Sequence, residues 1–520
     1  MRFCQIILLI GVLAVTAFAQ AEESRPFGND NSSFSISTGS MFAASPKKSA
    51  AVNPAVVRTP AITTITNDMD EAITIIRRNY ASSQKGSDGN LIDSAIESML
   101  HQLDPHSSYF TREEFRELTN DHQGRYVGIG TTISSFARNG QIDTYVLSTA
   151  KNSPAERAGL CFGDRIVEVD GKAVTGMTSL EVRNLVRGPL GSSVRLTVER
   201  ADGTIIRNIS LNRNNVAHPS IEKYLMLDDR VGYITLTDGF GYTTAAEFDA
   251  AFLDLKRKGM SSLIIDLRGN GGGIMDEAIK IAENFLPFGQ TIVSQRGRYV
   301  SENRVWRSQN RRSETLPLVL LVDNDTASAS EILVAAMQDN DRAVVIGKRT
   351  FGKALVQSVY QLDDGSGLAI TSDRYFSPSG RSLQRDYSDS GLYDYFRHTN
   401  HGALIDSPQN ASRTLKGRVV FGGDGIQPDK IVDGFENDKK RSAMIDRLFE
   451  NIRAGIDLST DSKLLLVCKN SNCANDLGFL RLEAAKFEAL RSGIGSPTDI
   501  KAVQLDEFVR IAMTQLRNNE

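Results

Sequence analysis

The feature that most constrains the fold is a series of apolar segments, each followed by a helical pattern. The apolar segments are nearly continuous, as in strands that are covered on both faces, and they occupy Tyr233–Leu236, Leu263–Leu267 and Leu316–Val322. The helical stretches that follow them are Ala245–Lys258, Met275–Phe285 and Ala329–Gln338. This alternation predicts an α/β core built on a buried central sheet.

Smaller units flank this core. Between residues 124 and 213 the pattern is one of short strands separated by turn residues, at Thr144–Leu147, Arg165–Val169 and Val194–Val198, with one helix near Ser179–Val186. Residues 61–123 contain two amphipathic helices, whose apolar faces are formed by Ile62, Ile65, Met69, Ile73 and Ile76 and by Ile92, Ile96, Met99 and Leu103. The region after about Lys439 reads as largely helical and polar.

The amino terminus has the pattern of a secretory signal. Arg2 precedes an apolar run from Ile6 to Val15, and Ala17-Phe18-Ala19 is a small-x-small cleavage site. We therefore expect cleavage after Ala19 and export, with an uncleaved anchor as the alternative. Residues 20–60 have the composition of a flexible leader. In an oxidising compartment Cys468 and Cys473 could close a small disulfide loop, and the sequence does not decide whether they do.

The balance of charge and the lack of metal-binding motifs argue against a nucleic-acid binder and a metalloprotein. Lysine and arginine number 60 against 63 aspartates and glutamates, so the net charge of −3 argues against a nucleic-acid binder. The chain has no Cys-x-x-Cys or His-Glu-x-x-His pattern, and we expect neither a metal nor another cofactor.

Two loops at the carboxyl ends of the predicted strands are candidates for chemistry. The segment Asp266–Gly273 has four glycines, whose backbone N–H groups can approach a ligand closely. A phosphate cradle would need the Lys-Ser or Lys-Thr of a P-loop, so an oxyanion site suits this loop better. In the second loop, Asp323–Glu331, a serine at the start of a helix would favour the negative charge of an acyl-transfer intermediate. Ser328 and Glu331 also fit a simple capping box.

A lysine supplies the base that such a serine requires. No histidine lies between His218 and His398, whereas Lys353 stands among apolar residues in Thr350–Gln357. Burial would lower its pKa and make a neutral amine available. Gln357, four positions further on, would orient that amine. A solvated or ion-paired lysine is the alternative.

Together these motifs resemble the carboxy-terminal processing proteases, the serine endopeptidases of the tail-specific protease family. The resemblance runs from about Ile62 to Asp429. Its motifs are 103–107, 126–130, 153–160, 266–273, 328–331, 350–353 and 377–380. Each motif alone is weak evidence for the resemblance, but the occurrence of all of them in this order is highly specific. Gly271 and Ala354 stand where many relatives carry proline and glycine.

The resemblance implies a Ser/Lys dyad with Ser328 as the nucleophile, Lys353 as the general base and Gln357 as its orienting partner. The oxyanion hole would be formed by the N–H groups of Ala329 and Gly272, with Gly273 as the second choice. The β-rich module looks like a PDZ domain, whose carboxylate-binding loop would be Val127, Gly128, Ile129 and Gly130. The implied architecture is a mixed α/β core like that of Clp protease and crotonase, with an inserted PDZ domain and helical terminal segments.

The predicted domains are a signal peptide at 1–19, a leader at 20–60, helices at 61–123, the PDZ domain at 124–213, the protease core at 214–436 and a helical region at 437–520. The predicted protein is an exported endopeptidase, most simply of a bacterial periplasm, that is soluble or peripherally membrane-associated. It would cleave proteins with free C-terminal tails. An inactive PDZ scaffold or chaperone and a peptidase for short peptides are the alternatives.

Further expectations concern the helices and two single residues. Some relatives dimerise through an N-terminal segment like the one here and others act as monomers, so a homodimer is expected with a monomer as the alternative, while any adaptor is unknown. The Asp-Pro pair before His106 indicates a structural turn more than catalysis. Asp339 is expected to support the structure.

Overall fold

The computed structural model describes residues 47–48, 60–80, 88–221, 223–236, 239–388, 395–396, 410–433, 439–467, 476–492 and 497–518. The predicted signal peptide, most of the leader, and Cys468 and Cys473 lie outside these residues. Among the described helices, none is both long enough and apolar enough to cross a bilayer.

The first part of the chain contains both predicted amphipathic helices. Its elements are β1 (Lys47–Lys48), α1 (Pro60–Asn79), α2 (Asp88–His101), β2 (Ser108–Phe110) and α3 (Arg112–His122). The short strands β1 and β2 both join a sheet of the core, as described below. The helix α1 is less well covered, because its apolar residues Ile65, Met69 and Ile76 are exposed.

The β-rich module is a six-stranded antiparallel sheet with two short helices packed against it. Its elements are β3 (Arg125–Gly128), β4 (Thr131–Arg138), β5 (Gln141–Thr149), α4 (Pro154–Arg157), β6 (Arg165–Val169), β7 (Lys172–Ala173), α5 (Ser179–Val186), β8 (Ser193–Glu199), β9 (Ile205–Asn212) and β10 (Asn214–Ala217). The strand order is β4-β5-β6-β8-β9, with β7 paired to β6. Strands β3 and β10 form a separate pair, where the chain enters and leaves the module. The predicted strands and helix are present.

The described part of the core contains two large sheets, a two-stranded sheet and three long helices. Its elements are β11 (Tyr224–Met226), β12 (Val231–Thr235), α6 (Thr244–Arg257), β13 (Ser262–Asp266), α7 (Met275–Glu283), β14 (Thr291–Gly297), β15 (Arg304–Arg307), β16 (Leu318–Val322), α8 (Ala329–Asp339), β17 (Val344–Gly347), β18 (Leu355–Gln361), β19 (Gly367–Phe376), β20 (Ala411–Arg413), β21 (Val419–Phe421) and β22 (Lys430–Ile431). The predicted α/β alternation is confirmed.

The central sheet has the order β11-β12-β13-β16-β17-β22, in which all neighbours except β11 and β12 are parallel. Every residue of β12, β13 and β16 is buried. A second sheet has the order β1-β18-β19-β14-β15, with β2 also on β19. The carboxyl ends of β13 and β16 lie side by side, which brings together the two loops that the sequence singles out.

The C-terminal region is helical, as predicted, but it is not simply polar. Its helices are α9 (Lys439–Arg453), α10 (Asp461–Leu466), α11 (Leu477–Ser492), α12 (Pro497–Leu505) and α13 (Glu507–Asn518). Apolar residues of α9 and α11 form one core with the β-rich module, in which the rings of Phe449 and Phe136 stack at 3.9 Å. Apolar residues of α13 cover one face of the central sheet. The apolar stripes of these helices are therefore structural interfaces.

Candidate active site

Ser328 lies at the turn between β16 and α8. Its φ of +57° is in the left-handed region, which is unusual for a residue with a side chain, and it directly precedes the first residue of the helix. Its side chain is buried. A strained residue at a helix N-terminus is typical of a catalytic nucleophile.

The glycine-rich loop after β13 is fastened to the Ser328 loop by several hydrogen bonds. The Gly269 N–H donates to both carboxylate oxygens of Asp323 at 2.9 and 3.1 Å. The Asn270 carbonyl accepts from the Ala327 N–H at 2.9 Å and from Ser330 Oγ at 3.0 Å. These bonds fix the position of the glycines relative to Ser328.

Gly272 lies directly against the turn at Ser328. Its φ is +100°, and a Cβ atom there would stand 2.7 Å from the Cβ of Ser328 and 2.8 Å from the N atom of Ala329. Its own N–H donates to Asn270 Oδ1 at 2.9 Å. Among the described residues, the N–H groups of Ala329 and Gly273 have no hydrogen-bond acceptor. The geometry therefore leaves Ala329 and Gly273 open as donors, while Gly272 is engaged.

Lys353 is a buried lysine, with 1% of its surface exposed. Its Nζ donates to Gln357 Oε1 at 2.8 Å. Burial lowers the pKa of Lys353 to about 7, and the charges of Asp104 and Glu331 oppose this shift. The sequence-based alternative of a solvated lysine is therefore wrong.

Glu331 connects the two segments that carry the predicted dyad. Its Oε2 accepts from the backbone N–H groups of Ser328 at 3.0 Å and Lys353 at 2.8 Å. Its Oε1 accepts from the Gly352 N–H at 2.8 Å and from Thr350 Oγ1 at 2.6 Å. Burial raises the pKa of Glu331 to about 7, and these four hydrogen bonds counteract the rise. The capping-box spacing detected Glu331, but not its link to Lys353.

Tyr375 makes a second connection that the sequence does not reveal. Its hydroxyl contacts the carbonyl oxygens of both Ser328, at 2.9 Å, and Lys353. Burial holds the pKa of this tyrosine well above its ordinary value, so it remains a donor. Ser328 and Lys353 are thus held at their N–H groups by Glu331 and at their carbonyls by Tyr375. No local pattern around Tyr375 signals this role.

The segment around His106 is a turn closed by its own aspartate. Asp104 Oδ1 accepts from the N–H groups of His106 and Ser107, both at 2.8 Å. The His106 Nε2 atom lies 2.8 Å from the Tyr395 hydroxyl. Burial holds the pKa of His106 well below its ordinary value, and the charges of Lys353 and Arg385 lower it further. The predicted structural turn is present.

Asp339 ends α8 in a buried ion pair. Its Oδ1 accepts from Arg381 Nη2 at 2.7 Å, and its Oδ2 accepts from the N–H and Oγ of Ser379 at 3.1 and 2.7 Å. These contacts fix the segment after β19 to α8, as expected for a supporting residue.

The predicted carboxylate-binding residues belong to the β-rich module and not to the core. Val127 and Gly128 pair with β10, and Ile129 and Gly130 connect β3 to β4. A Cβ on Gly130, whose φ is +83°, would lie 2.2 Å from the Cβ of Ser153, so only glycine fits. In the described part of the chain, the N–H groups of Ile129 and Gly130 have no acceptor. They precede β4, which is an edge strand.

Comparisons with known proteins agree with this architecture. Residues 230–392 match the model of peptidase family S41, and residues 145–200 match a PDZ domain. A carboxy-terminal-processing protease from Bartonella bacilliformis is 35% identical over 304 residues, which cover 57% of this chain and 68% of that protein. The chain belongs to this family of carboxy-terminal processing proteases.

Two further relatives are the carboxy-terminal processing protease CtpA of Bacillus subtilis and a probable CtpA-like serine protease of Staphylococcus haemolyticus. They are 34% and 33% identical to the chain over 61% of its length. The matched part spans 66% and 62% of these two relatives, slightly less than two thirds. The S41 match contains Ser328, Lys353 and Gln357, whereas residues 127–130 precede the PDZ match.

Proposed function

We propose that this member of the S41 family is an exported serine endopeptidase that hydrolyses peptide bonds with Ser328 and Lys353. The observation that carries the proposal is the buried Lys353, whose amine donates to Gln357 and whose backbone shares one carboxylate oxygen of Glu331 with that of Ser328. A lysine with a pKa of about 7 is a competent base at neutral pH.

The reaction follows from the chemistry of these groups. The neutral amine of Lys353 takes the proton of the Ser328 hydroxyl as Oγ attacks the substrate carbonyl. The resulting ammonium returns the proton to the leaving amine as the peptide bond breaks, and an acyl-enzyme remains. Lys353 then deprotonates a water molecule that attacks the ester and releases the product. Gln357 keeps the amine oriented through both half-reactions.

The developing oxyanion requires two N–H donors close to Ser328. The Ala329 N–H is one, at the N-terminus of α8, where the helix dipole adds to its effect. The second comes from the glycine-rich loop. Gly272 fills this role if its N–H leaves Asn270 when substrate binds, and Gly273, whose N–H is open, fills it otherwise.

Recognition of free C-termini is assigned to the PDZ domain. The open N–H groups of Ile129 and Gly130 suit a carboxylate, and the adjacent edge of β4 can pair with an extended tail. The substrates in this proposal are proteins with exposed C-terminal tails. Export rests on the signal pattern at Met1–Ala19, with a bacterial periplasm as the proposed location.

A homodimer through the N-terminal helices is part of the proposal. Ile65, Met69, Ile75 and Ile76 expose apolar surface on α1, and a second copy of the helix would bury it. The sedimentation velocity of the intact chain and of an Ile65→Asp/Ile76→Asp variant tests this point. The variant should sediment as a monomer, and unchanged dimerisation would contradict the assignment.

Digestion of casein without added metal or nucleotide tests the catalytic proposal. The parent chain should cut, and folded Ser328→Ala and Lys353→Ala variants should not. If all three cut equally, the dyad assignment fails. If none cuts even with a hydrophobic C-terminal peptide present, the inactive PDZ scaffold is the better description. A substrate with an amidated C-terminus should be cut more slowly if the tail carboxylate is recognised.

A further inference from the structure

A group of arginines lies on the hairpin formed by β14 and β15 and on the adjacent strand β19. It consists of Arg296, Arg298, Arg304, Arg307 and Arg374, and we call it the arginine cluster. All five are exposed. Only one acidic residue, Glu302, occurs between Arg296 and Arg307. In a chain whose net charge is −3, this concentration of positive charge is a local exception.

The strand register explains why the charges gather. Arg296 lies opposite Arg374, and Val305 lies opposite Ser294. Since side chains alternate along a strand and opposed residues share a face, Arg296, Arg374, Val305 and Arg307 point to the same side. Tyr375, which follows Arg374, points to the opposite side and is buried beneath Ser328 and Lys353. Arg296, Arg307 and Arg374 therefore lie on the outer face of the sheet whose inner face supports the site. Arg304 lies opposite Gln295, as Tyr375 does, and so points to the other side of the edge strand β15.

The contacts that the structure describes for these arginines are with neutral groups. The guanidinium of Arg296 lies 4.3 Å from the ring centre of Phe376, and Arg307 Nη1 donates to the neutral Gly289 carbonyl and Thr291 hydroxyl. In the part of the chain that the structure describes, none of the five is ion-paired with a carboxylate. Other arginines, such as Arg257, Arg491 and Arg517, do have acidic partners.

The tip of the hairpin adds exposed apolar groups to this charge. Tyr299 is 59% exposed and Val300 is 83% exposed, and both lie between Arg298 and Arg304. An aromatic and an aliphatic side chain flanked by arginines is the composition of an interfacial membrane contact: the apolar groups enter the headgroup region and the arginines bind phosphates. An acidic soluble partner would use the charges but would leave Val300 unexplained.

We propose that the arginine cluster and the tip at Tyr299 and Val300 bind an anionic phospholipid surface. Binding there would hold the protease at a membrane with its sheet edge toward the lipid. The proposal does not depend on the catalytic assignment, because none of these residues belongs to the site.

Co-sedimentation of the full chain with vesicles of phosphatidylcholine, with and without phosphatidylglycerol, tests it. The parent should bind the anionic vesicles and release them as salt is added. An Arg298→Gln/Arg304→Gln/Arg374→Gln variant should bind about tenfold or more weakly. The matched control, Arg257→Gln/Arg491→Gln/Arg517→Gln, lowers the net charge equally and should bind like the parent. The apolar amino terminus is common to all three proteins, so it contributes equally.

A Tyr299→Ser/Val300→Ser variant separates the two parts of the surface. It should bind anionic vesicles more weakly than the parent but keep its preference for them over neutral vesicles. The proposal is overturned if the parent shows no preference for anionic vesicles, or if the two triple variants bind alike. It is also overturned if soluble polyglutamate, added at the same total negative charge as the anionic lipid, displaces the chain from the vesicles. The surface would then suit an acidic protein.

Discussion

The Nζ atom of Lys353 and the Oε1 atom of Gln357 are joined by a hydrogen bond of 2.8 Å in a buried environment. Gln357 provides an acceptor without a negative charge. Because no counter-charge is placed at this position, burial can lower the pKa of Lys353 to about 7. The identity of residue 357 therefore determines how basic the amine remains.

Replacing Gln357 with glutamate should raise the pH at which the enzyme becomes active. Lys353 must be neutral to act, so the activity of the parent should fall as pH drops through about 7. A carboxylate at 357 favours the ammonium and should move this midpoint upward by about one unit or more. The measurement is kcat/KM against pH with a fluorogenic peptide. An unchanged midpoint would contradict the assignment of Lys353 as the titrating base, and Lys353→Arg should be inactive throughout.

Replacing Glu331 with glutamine should impair both stability and activity. An amide nitrogen would face either the N–H groups of Ser328 and Lys353 or the donors from Gly352 and Thr350, leaving a pair of buried donors without an acceptor. Each unpaired group costs about 1–3 kcal/mol. Urea unfolding and kcat should both report the change.

Glu488→Gln is the matched control, because among the described residues Glu488 pairs only with Arg491, on the surface. It should change the free energy of unfolding by less than about 1 kcal/mol. Equal effects of the two substitutions would remove the case for Glu331 as the residue that positions the dyad.

Two glycines of the same loop should differ sharply when replaced by alanine. The Cβ of Gly272→Ala would meet the backbone and side chain of the turn at Ser328 within 2.8 Å. The Cβ of Gly269→Ala would meet no described neighbouring atom within 4 Å. Both positions have a positive φ, at +100° and +72°, so both substitutions carry backbone strain. Only Gly272→Ala should abolish peptide hydrolysis and the phosphonylation of Ser328 by a serine-reactive phosphonate, and the rates of both reactions are the measurements. Comparable losses in both variants would show that backbone strain, not contact with Ser328, is responsible.

The sequence predicted the parts of the molecule whose residues are close together in the chain. Tyr233–Leu236 and Leu263–Leu267 are apolar throughout because both faces of the sheet are covered, and that pattern is visible locally. Strand β4 was missed, because Thr131–Arg138 is rich in polar residues and its apolar Phe136 is covered by a helix that begins about 300 residues later.

The candidate site follows the same rule. Ser328 and Lys353 were predicted from motifs, and their catalytic roles remain predictions. The connections through Glu331 and Tyr375 depend on the pairing of β18 with β19 and on the path of the Gly352 segment, which no local pattern specifies. The prediction that the C-terminal helices are largely polar was wrong. Their apolar residues are spread over several short helices that pack on two different surfaces.

Replacing Phe449 with alanine should loosen the PDZ domain from the C-terminal helices. The Phe449 ring stacks on Phe136 of β4 and contacts Tyr145, Phe162 and Phe487. Removing a buried phenylalanine costs about 3–5 kcal/mol, and most of this loss should fall on the interface. Hydrogen exchange should therefore quicken at the amides of β4, including the Ala137 N–H that donates to Asp446 Oδ1 at 3.0 Å, and of α9. The central sheet should stay protected because α13 packs on it separately.

Leu466→Ala is the control, since Leu466 is 77% exposed on α10 and should leave exchange at β4 unchanged. If exchange at β4 is equal in the two variants, the C-terminal helices do not hold the PDZ domain in place.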